Sequence, residues 1–302
     1  MNTYGNIFGK KRNYVRYGDD TLINYGDFHT HTIYSLHGMN SPSEMVDAAI
    51  EAGLDYIALT DHHVVYGEDD NNRSDFISRK NQIARAYEIN RSFMELDENG
   101  IIKVIPGYEY NLYTSENSTS FVTDEIPHLR NIGYHTWYGN LKYTSIDNYL
   151  KEIEERLSTK MYKIFVHPER DIDDLGKIIF RNCKIICGNL HGDIEDNDNL
   201  LYLMDNICNI CSRYRVVIEC NNSSLSNPLN SEEKKKKIIA RMKCWIRKAQ
   251  LYGLNIVVNS DAHVKYGVGR CDEAFELLNS MGIDKKRIVN FDKDMIEELL
   301  VP

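Results

Sequence analysis

Long apolar runs are missing from this chain of 302 residues, so no segment is expected to span a membrane. An excess of cations is missing too: 36 Lys and Arg stand against 45 Asp and Glu, a formal net charge of −9 at pH 7. That balance argues against broad attraction to nucleic acid or anionic lipid, although bound cations can reverse the local sign inside a pocket. Residues 1–20 carry basic side chains but neither an apolar core nor a small-residue cleavage pattern, so no secretory leader is expected. The seven cysteines lack regular disulfide-like spacing, which fits a reducing cytoplasm. The chain also has no GxSxG elbow, no P-loop and no dinucleotide glycine fingerprint, which lowers the odds of serine-hydrolase, nucleotide-triphosphatase and Rossmann chemistry.

What is present is ordinary globular composition, 42% hydrophobic and 27% charged, without internal repeats or low-complexity linkers. Short β-prone runs fall at 24–28, 56–59, 103–105, 131–134, 163–166, 184–187, 216–218 and 256–258. Amphipathic stretches separate several of them. One is "SPSEMVDAAIEAG", where Ser43 is the expected N-cap, Pro42 breaks the preceding chain and Gly53 stops the helix. Strands alternating with helices imply a parallel sheet covered by helices, and about eight of them favour a closed barrel over an open sheet. The expected domain covers 24–302, with 1–23 as an N-terminal extension.

A barrel places its chemistry at the C-terminal ends of its strands. Here seven strand ends each deliver a His, Asp or Glu. His29 and His31 follow "NYGDF", "TDHH" follows "YIAL", and "GYEY" follows "KVIP". His135 follows "NIGY", His167 follows "KIFV", Glu219 follows "RVVI", and "SDAH" follows "IVVN". Imidazoles and carboxylates are the ligands that suit zinc, manganese and iron while leaving positions open for water. The candidates are His29, His31, His37, His62, Glu109, His135, His167, Asp261 and His263. These are too many for one catalytic ion, which usually keeps three protein ligands, so two or three divalent ions are expected.

The motifs "DFHTHT", "ALTDHH", "GYE", "IFVHPER" and "NSDAH" resemble, in this order, those of the PHP (polymerase and histidinol phosphatase) superfamily of metal-dependent phosphoesterases. "VVIECNNSSL" and the "GYH" at His135 are similar to segments of its small bacterial phosphatases with a trinuclear zinc centre. The resemblance implies a distorted (β/α)7 barrel and zinc as the first metal to consider, with manganese or iron as alternatives. The segment 171–200 exceeds that pattern and is either an inserted recognition element or an extra βα unit. By the same resemblance His29, His31, Glu109 and Asp261 hold one metal, and Glu109 bridges to a second completed by His135 and His167. His37, His62 and His263 hold a third. The implied reaction is hydrolysis of a phosphate monoester by a metal-activated hydroxide, with a small phosphorylated substrate. A nuclease or oligonucleotide phosphodiesterase, a histidinol phosphatase, and a non-catalytic metal-binding domain are the alternatives.

Other residues have plainer readings beside the functional one. Asp61 is read as an outer-shell partner of His62 or as an acid for the leaving group, and with Glu109 it makes up the catalytic pair. His128 rivals His135, whereas His63 and His191 are read as bystanders. Glu219 and Asn221 either line the pocket or support its loop. Arg170 and Arg270 are candidate phosphate contacts, because a guanidinium matches phosphate geometry. Cys208 and Cys211 form a lone Cys-x-x-Cys read as packing, and "SEEKKKKIIARMKCWIRKA" reads as a helix with a solvated lysine face.

Overall fold

The computed structural model describes residues 11–35, 38–63, 91–111, 129–133, 146–169 and 198–301. Seven parallel strands form one sheet in strict chain order: β3 (Gly26–Thr30), β4 (Tyr56–His63), β5 (Lys103–Asn111), β6 (Leu129–Gly133), β7 (Tyr162–Phe165), β8 (Val217–Asn221) and β9 (Ile256–Asn259). The sheet curls until its edges meet. Thr30 bridges Ala262 in parallel, His31 N–H donates to the Ala262 carbonyl, and Phe28 N–H donates to Asn259 Oδ1. Asp27 completes the closure by accepting from Ser260 N, Ser260 Oγ and Gly269 N. The architecture is therefore a nearly closed α/β barrel of the (β/α)7 type. The additional strand expected at 184–187, and the wider segment 171–197, lie outside the described residues.

Every strand contributes to the barrel interior: Phe28, Ala58, Ile105, Leu129, Ile164, Val217 and Val257 form one buried cluster. Its lower end is plugged by Ile296 and Leu299 of the last helix, α7 (Lys293–Leu300). Outside the sheet lie α1 (Pro42–Ala52), α2 (Ile146–Ser158), α3 (Asp198–Tyr214), α4 (Asn222–Ser226), α5 (Glu232–Leu251) and α6 (Asp272–Ser280). The lysine-rich segment forms α5, with Ile238, Met242, Trp245, Ile246 and Ala249 on its buried side. Spacings of three and four keep those side chains on one face. Cys208 and Cys211 are buried on α3 in the same outer core, and burial raises the Cys208 thiol to about 12, as expected of packing cysteines.

One local expectation is corrected. The N-cap of α1 is Ser41, not Ser43. Ser41 Oγ accepts from Glu44 N–H while Glu44 reaches back to Ser41 N–H, closing a capping box. Pro42 then occupies the first helical position, where its missing N–H costs nothing, so it starts the helix. The segment read as an N-terminal extension holds an antiparallel hairpin, β1 (Tyr14–Tyr17) and β2 (Asp20–Ile23). Val15 and Tyr17 pack into the core around α6, and Tyr17 Oη donates to the Ile283 carbonyl.

One glycine matters for the site above it. Gly107 on β5 sits beside Thr60 on β4 and Leu129 on β6. A Cβ there would lie 2.7 Å from Thr60 Cγ2 and 2.8 Å from the Leu129 carbonyl oxygen. Gly107→Ala should therefore push neighbouring strands apart and destabilise the fold by about 1–3 kcal/mol. Urea denaturation monitored by circular dichroism measures this.

Candidate metal centre

At the C-terminal mouth of the barrel, seven of the nine candidate ligands lie among the described residues and converge. Their donor atoms form three groups: His29, His31 and Asp261; His29, Glu109 and His167; and His31, His62 and His263. In each group the donors lie within 4.8 Å of one another, close enough for one ion to bridge them. His29 Nε2 and His31 Nε2 stand 3.1 Å apart, both rings fully buried. Two lone pairs at that distance repel unless a proton or cation lies between them. This nitrogen and carboxylate donor set fits zinc, manganese or iron.

Glu109 occupies the middle. Its Oε1 is 2.6 Å from His167 Nε2, whereas its Oε2 is 3.2 Å from His29 Nε2, 3.3 Å from His31 Nε2 and 3.1 Å from His62 Nδ1. The two oxygens thus face different donor groups. Asp261 Oδ1 closes the opposite side, 3.3 Å from His31 Nε2 and 3.7 Å from His29 Nε2. His263 stacks on the His31 ring at 4.3 Å between centroids, and its Nδ1 donates to the Asp261 carbonyl. His62 and His263 side chains are 16% and 27% exposed, whereas the others are buried, so these two mark the opening.

A second layer orients the rings. His29 Nδ1 donates to Glu219 Oε1 at 2.8 Å, which turns Nε2 toward the centre. Glu219 is itself saturated, accepting from Asn259 Nδ2, the backbone N–H of His167 and Asn221 Nδ2. Asn221 also donates to Asp261 Oδ2, while its own carbonyl oxygen caps α4 through Ser224 N–H. On the other flank, His31 Nδ1 meets Ser35 Oγ, and Ser35 Oγ donates to Asp61 Oδ1. Asp61 further accepts from Thr32 N and Thr32 Oγ1. His167 and Asp261 adopt left-handed backbone conformations, φ 30° and 52°. Side chains that bear Cβ tolerate these only where surrounding structure enforces them.

Among the expected site residues, His29, His31, His62, Glu109, His167, Asp261 and His263 come together. His62 and His263 group with His31, and His167 with Glu109 and His29. His37, His135, its rival His128, His191 and Arg170 lie outside the described residues, as does the His63 side chain. Glu219 and Asn221 sit behind the rings, hydrogen-bonded to His29 and to Asp261 respectively. Asp61 holds the turn under His31 by accepting from Thr32 and Ser35. Arg270 is exposed before α6, and no side-chain contact ties it to the cluster among the described residues. Ser35 and Asn259 were not anticipated. Asn259 stands inside a quoted motif, where a polar residue ending the apolar run "IVVN" was the available signal, and Ser35 lies just beyond "DFHTHT".

Comparison with known proteins places this geometry. The family model described as "PHP domain" matches residues 27–223. A probable phosphatase of Thermoanaerobacter sp. (strain X514) is 25% identical over 277 residues, covering 91% of this chain and 93% of that protein. One from Caldanaerobacter subterraneus subsp. tengcongensis is 25% identical over 285 residues, covering 91% and 90%. Among solved structures, the histidinol phosphate phosphatase of Lactococcus lactis, complexed with zinc, L-histidinol and phosphate, superposes with a TM-score of 0.55 at 17% identity. That match covers 87% of this chain and 94% of the other, and it shows a shared fold. No described helix is long and apolar enough to cross a membrane.

Two outcomes follow from the second layer. Glu219→Gln keeps the size but weakens the acceptor for His29 Nδ1–H, so metal affinity should fall about 10–100-fold, measured by competition with a chromogenic chelator. The second concerns pH. Burial opposes a charge on His29, but Glu219, Glu109 and Asp261 outweigh it and hold the ring well above the usual histidine range. A raised pKa favours the folded chain while the ring is protonated, and that contribution is lost as pH rises through the raised value. Without metal, stability should therefore decline as pH rises above neutrality. Added zinc, which takes the place of the proton, should flatten that decline in denaturation midpoints taken across pH.

Proposed function

This chain belongs to the PHP domain family, and we propose that it is a phosphoric ester hydrolase acting on phosphate monoesters of small molecules through two or three divalent ions. The observation that carries this reading is the overlap of three donor groups that share His29 and His31, with the two oxygens of Glu109 facing different groups. The relatives named probable phosphatases support it. In this reading His29, His31, His62, Glu109, His167, Asp261 and His263 hold the ions, with His37 and His135 completing the set. When bound, the ions supply acidity to a water molecule and positive charge to the phosphoryl oxygens.

The remaining work falls to the chain. Glu109 would tie neighbouring ions together, since its Oε1 faces His167 while its Oε2 faces His29, His31 and His62. Glu219 and Asn221 keep His29 and Asp261 aimed inward, and Asp61 does the same for His31 through Ser35. Asp61 is 1% exposed and held by Thr32 and Ser35, so it is assigned to positioning and not to proton delivery. The substrate phosphate enters between His62 and His263, the exposed members of the cluster. The net charge of −9 disfavours a long polyanion as substrate, and histidinol phosphate is the first compound to try, given the ligands of the Lactococcus lactis structure.

The test pairs metal analysis with hydrolysis of p-nitrophenyl phosphate, histidinol phosphate and short oligonucleotides. His29→Ala and Asp261→Ala should each lose bound metal and lower monoester hydrolysis by more than about a hundredfold. Unchanged metal content and rate in both variants would overturn the proposal. Cleavage of oligonucleotides alone would replace the monoester substrate with a phosphodiester.

A further inference from the structure

A cavity of about 590 Å³ opens at the other end of the same strands. It lies where β7 and β8 begin, beside the residues leading into β9 and against α7. Its walls are of two kinds. Val217, Leu254 and Leu299 give an apolar floor, all buried, while Lys160, Lys163, Arg213 and Arg215 line it with positive charge. Glu298 is the one acidic side chain that lines it. Arg213 is anchored on Glu154 at 2.5 Å, and Arg215 makes a looser 3.4 Å contact with Glu298. Among the described residues neither the Lys160 nor the Lys163 side chain makes a hydrogen bond or a close ion pair, although the charge of Glu298 acts on the Lys163 ammonium. Partial burial holds the Lys163 ammonium below the usual lysine range.

The backbone beneath this charge is unusual. Four described helical segments are followed by a left-handed glycine: Gly53, Gly100, Gly253 and Gly282, with φ from 65° to 83°. Glycine is the usual occupant there because it has no Cβ to clash. After α2 and α3 the same conformation is held by Lys160 and Arg215, at φ 58° and 56°. Both of these line the cavity. Charge stands where backbone comfort alone would favour glycine.

The plain alternative is that cations near helix C-termini offset the helix dipole. Lys160, Arg213 and Arg215 are placed to do that, but cations in the last helical turn would serve equally without left-handed strain. Lys163 is not at a helix end. It lies on β7, half-buried, with only the more distant charge of Glu298 acting on its ammonium. The volume falls within the range of small-molecule sites, roughly 300–1,000 Å³, and far exceeds the ~30 Å³ of one water. An apolar floor beneath a charged rim selects an organic anion over a bare ion. Two ammoniums without a close ion pair and a loosely held guanidinium, set against the single carboxylate of Glu298, leave an excess of positive charge that matches a dianion.

We propose that this cavity binds a small organic phosphate, its dianionic group held by Lys160, Lys163 and Arg215 and its apolar body lying on Val217, Leu254 and Leu299. The site is separate from the metal centre, which occupies the C-terminal ends of the same strands.

Calorimetric titration of the full, metal-loaded chain with phenylphosphonate tests this, since that probe has an apolar body and resists hydrolysis. Lys160→Gly and Lys163→Ala should each weaken one binding event by about tenfold or more, the loss of a charged hydrogen bond. Asp261→Asn should leave that event intact. Lys160→Gly should keep or raise Tm, because glycine suits the left-handed backbone, so lost binding cannot be ascribed to unfolding. Unchanged affinity in both lysine variants would overturn the site. So would loss of all binding in Asp261→Asn, which would put the probe at the metal centre. Binding of inorganic phosphate as tight as that of phenylphosphonate would overturn the role of the apolar floor.

Discussion

Glu219 is the contact on which the metal centre turns. Its carboxylate is fully buried on β8, yet it engages β3 through His29, the end of β7 through the His167 backbone, and β9 through Asn259. Asn221, two residues on, extends the same network to Asp261. One side chain therefore sets the orientation of one imidazole, the path of the chain carrying a second, and the seat of a carboxylate. Asp61 repeats the arrangement on a smaller scale, holding the Thr32–Ser35 turn beneath His31. The ligands are aimed by strands on one side and by a turn on the other. Both sets of supports are out of water, where hydrogen bonds to charged groups are strongest.

That placement carries an energetic consequence. Glu109, Glu219 and Asp261 share one pocket with His29, His31 and His167, all shielded from solvent. Each uncompensated buried charge costs on the order of several kcal/mol, so the pocket is tolerable only when its charges are matched. Protons on the imidazoles match them in one way, and divalent cations match them in another. Folding and ligation are therefore linked through the same carboxylates, and the hydrophobic barrel beneath must supply the stability that the polar mouth withholds. The continuous apolar lining from Phe28 to Val257, closed below by Ile296 and Leu299, meets that need.

Much of this was legible from residue order, because barrels concentrate polar residues at strand ends and the motifs stand at those ends. The strand limits were less legible. The apolar runs suggest β4 ending at Leu59 and β5 at Ile105, but the ladder continues to His63 and Asn111. Backbone pairing is indifferent to side-chain polarity, so the ladder carries Asp61, His62 and Glu109 up to the site as strand residues. The N-terminal hairpin was missed because "YVRY" is short, although its alternation buries Val15 and Tyr17. Ser35 was invisible for a different reason. Nothing in the spacing of "THTIYS" shows that a turn folds its hydroxyl back onto His31 and Asp61. Such outer partners are fixed by tertiary geometry, whereas ligands announce themselves by residue type.

Among the described residues, backbone strain at residues other than glycine collects at the two mouths of this barrel. Only four non-glycine residues among those described adopt positive φ: Lys160, His167, Arg215 and Asp261. His167 and Asp261 belong to the donor groups at the upper mouth, where leaving the extended path of their strands lets each side chain turn inward. Lys160 and Arg215 sit at the lower mouth, where the chain turns from helix toward strand. At that same kind of turn, the chain following α5 uses Gly253. The fold therefore accommodates glycine at such junctions, and connectivity does not require the two strained cations. Their side chains line the lower cavity, as those of His167 and Asp261 belong to the donor groups above.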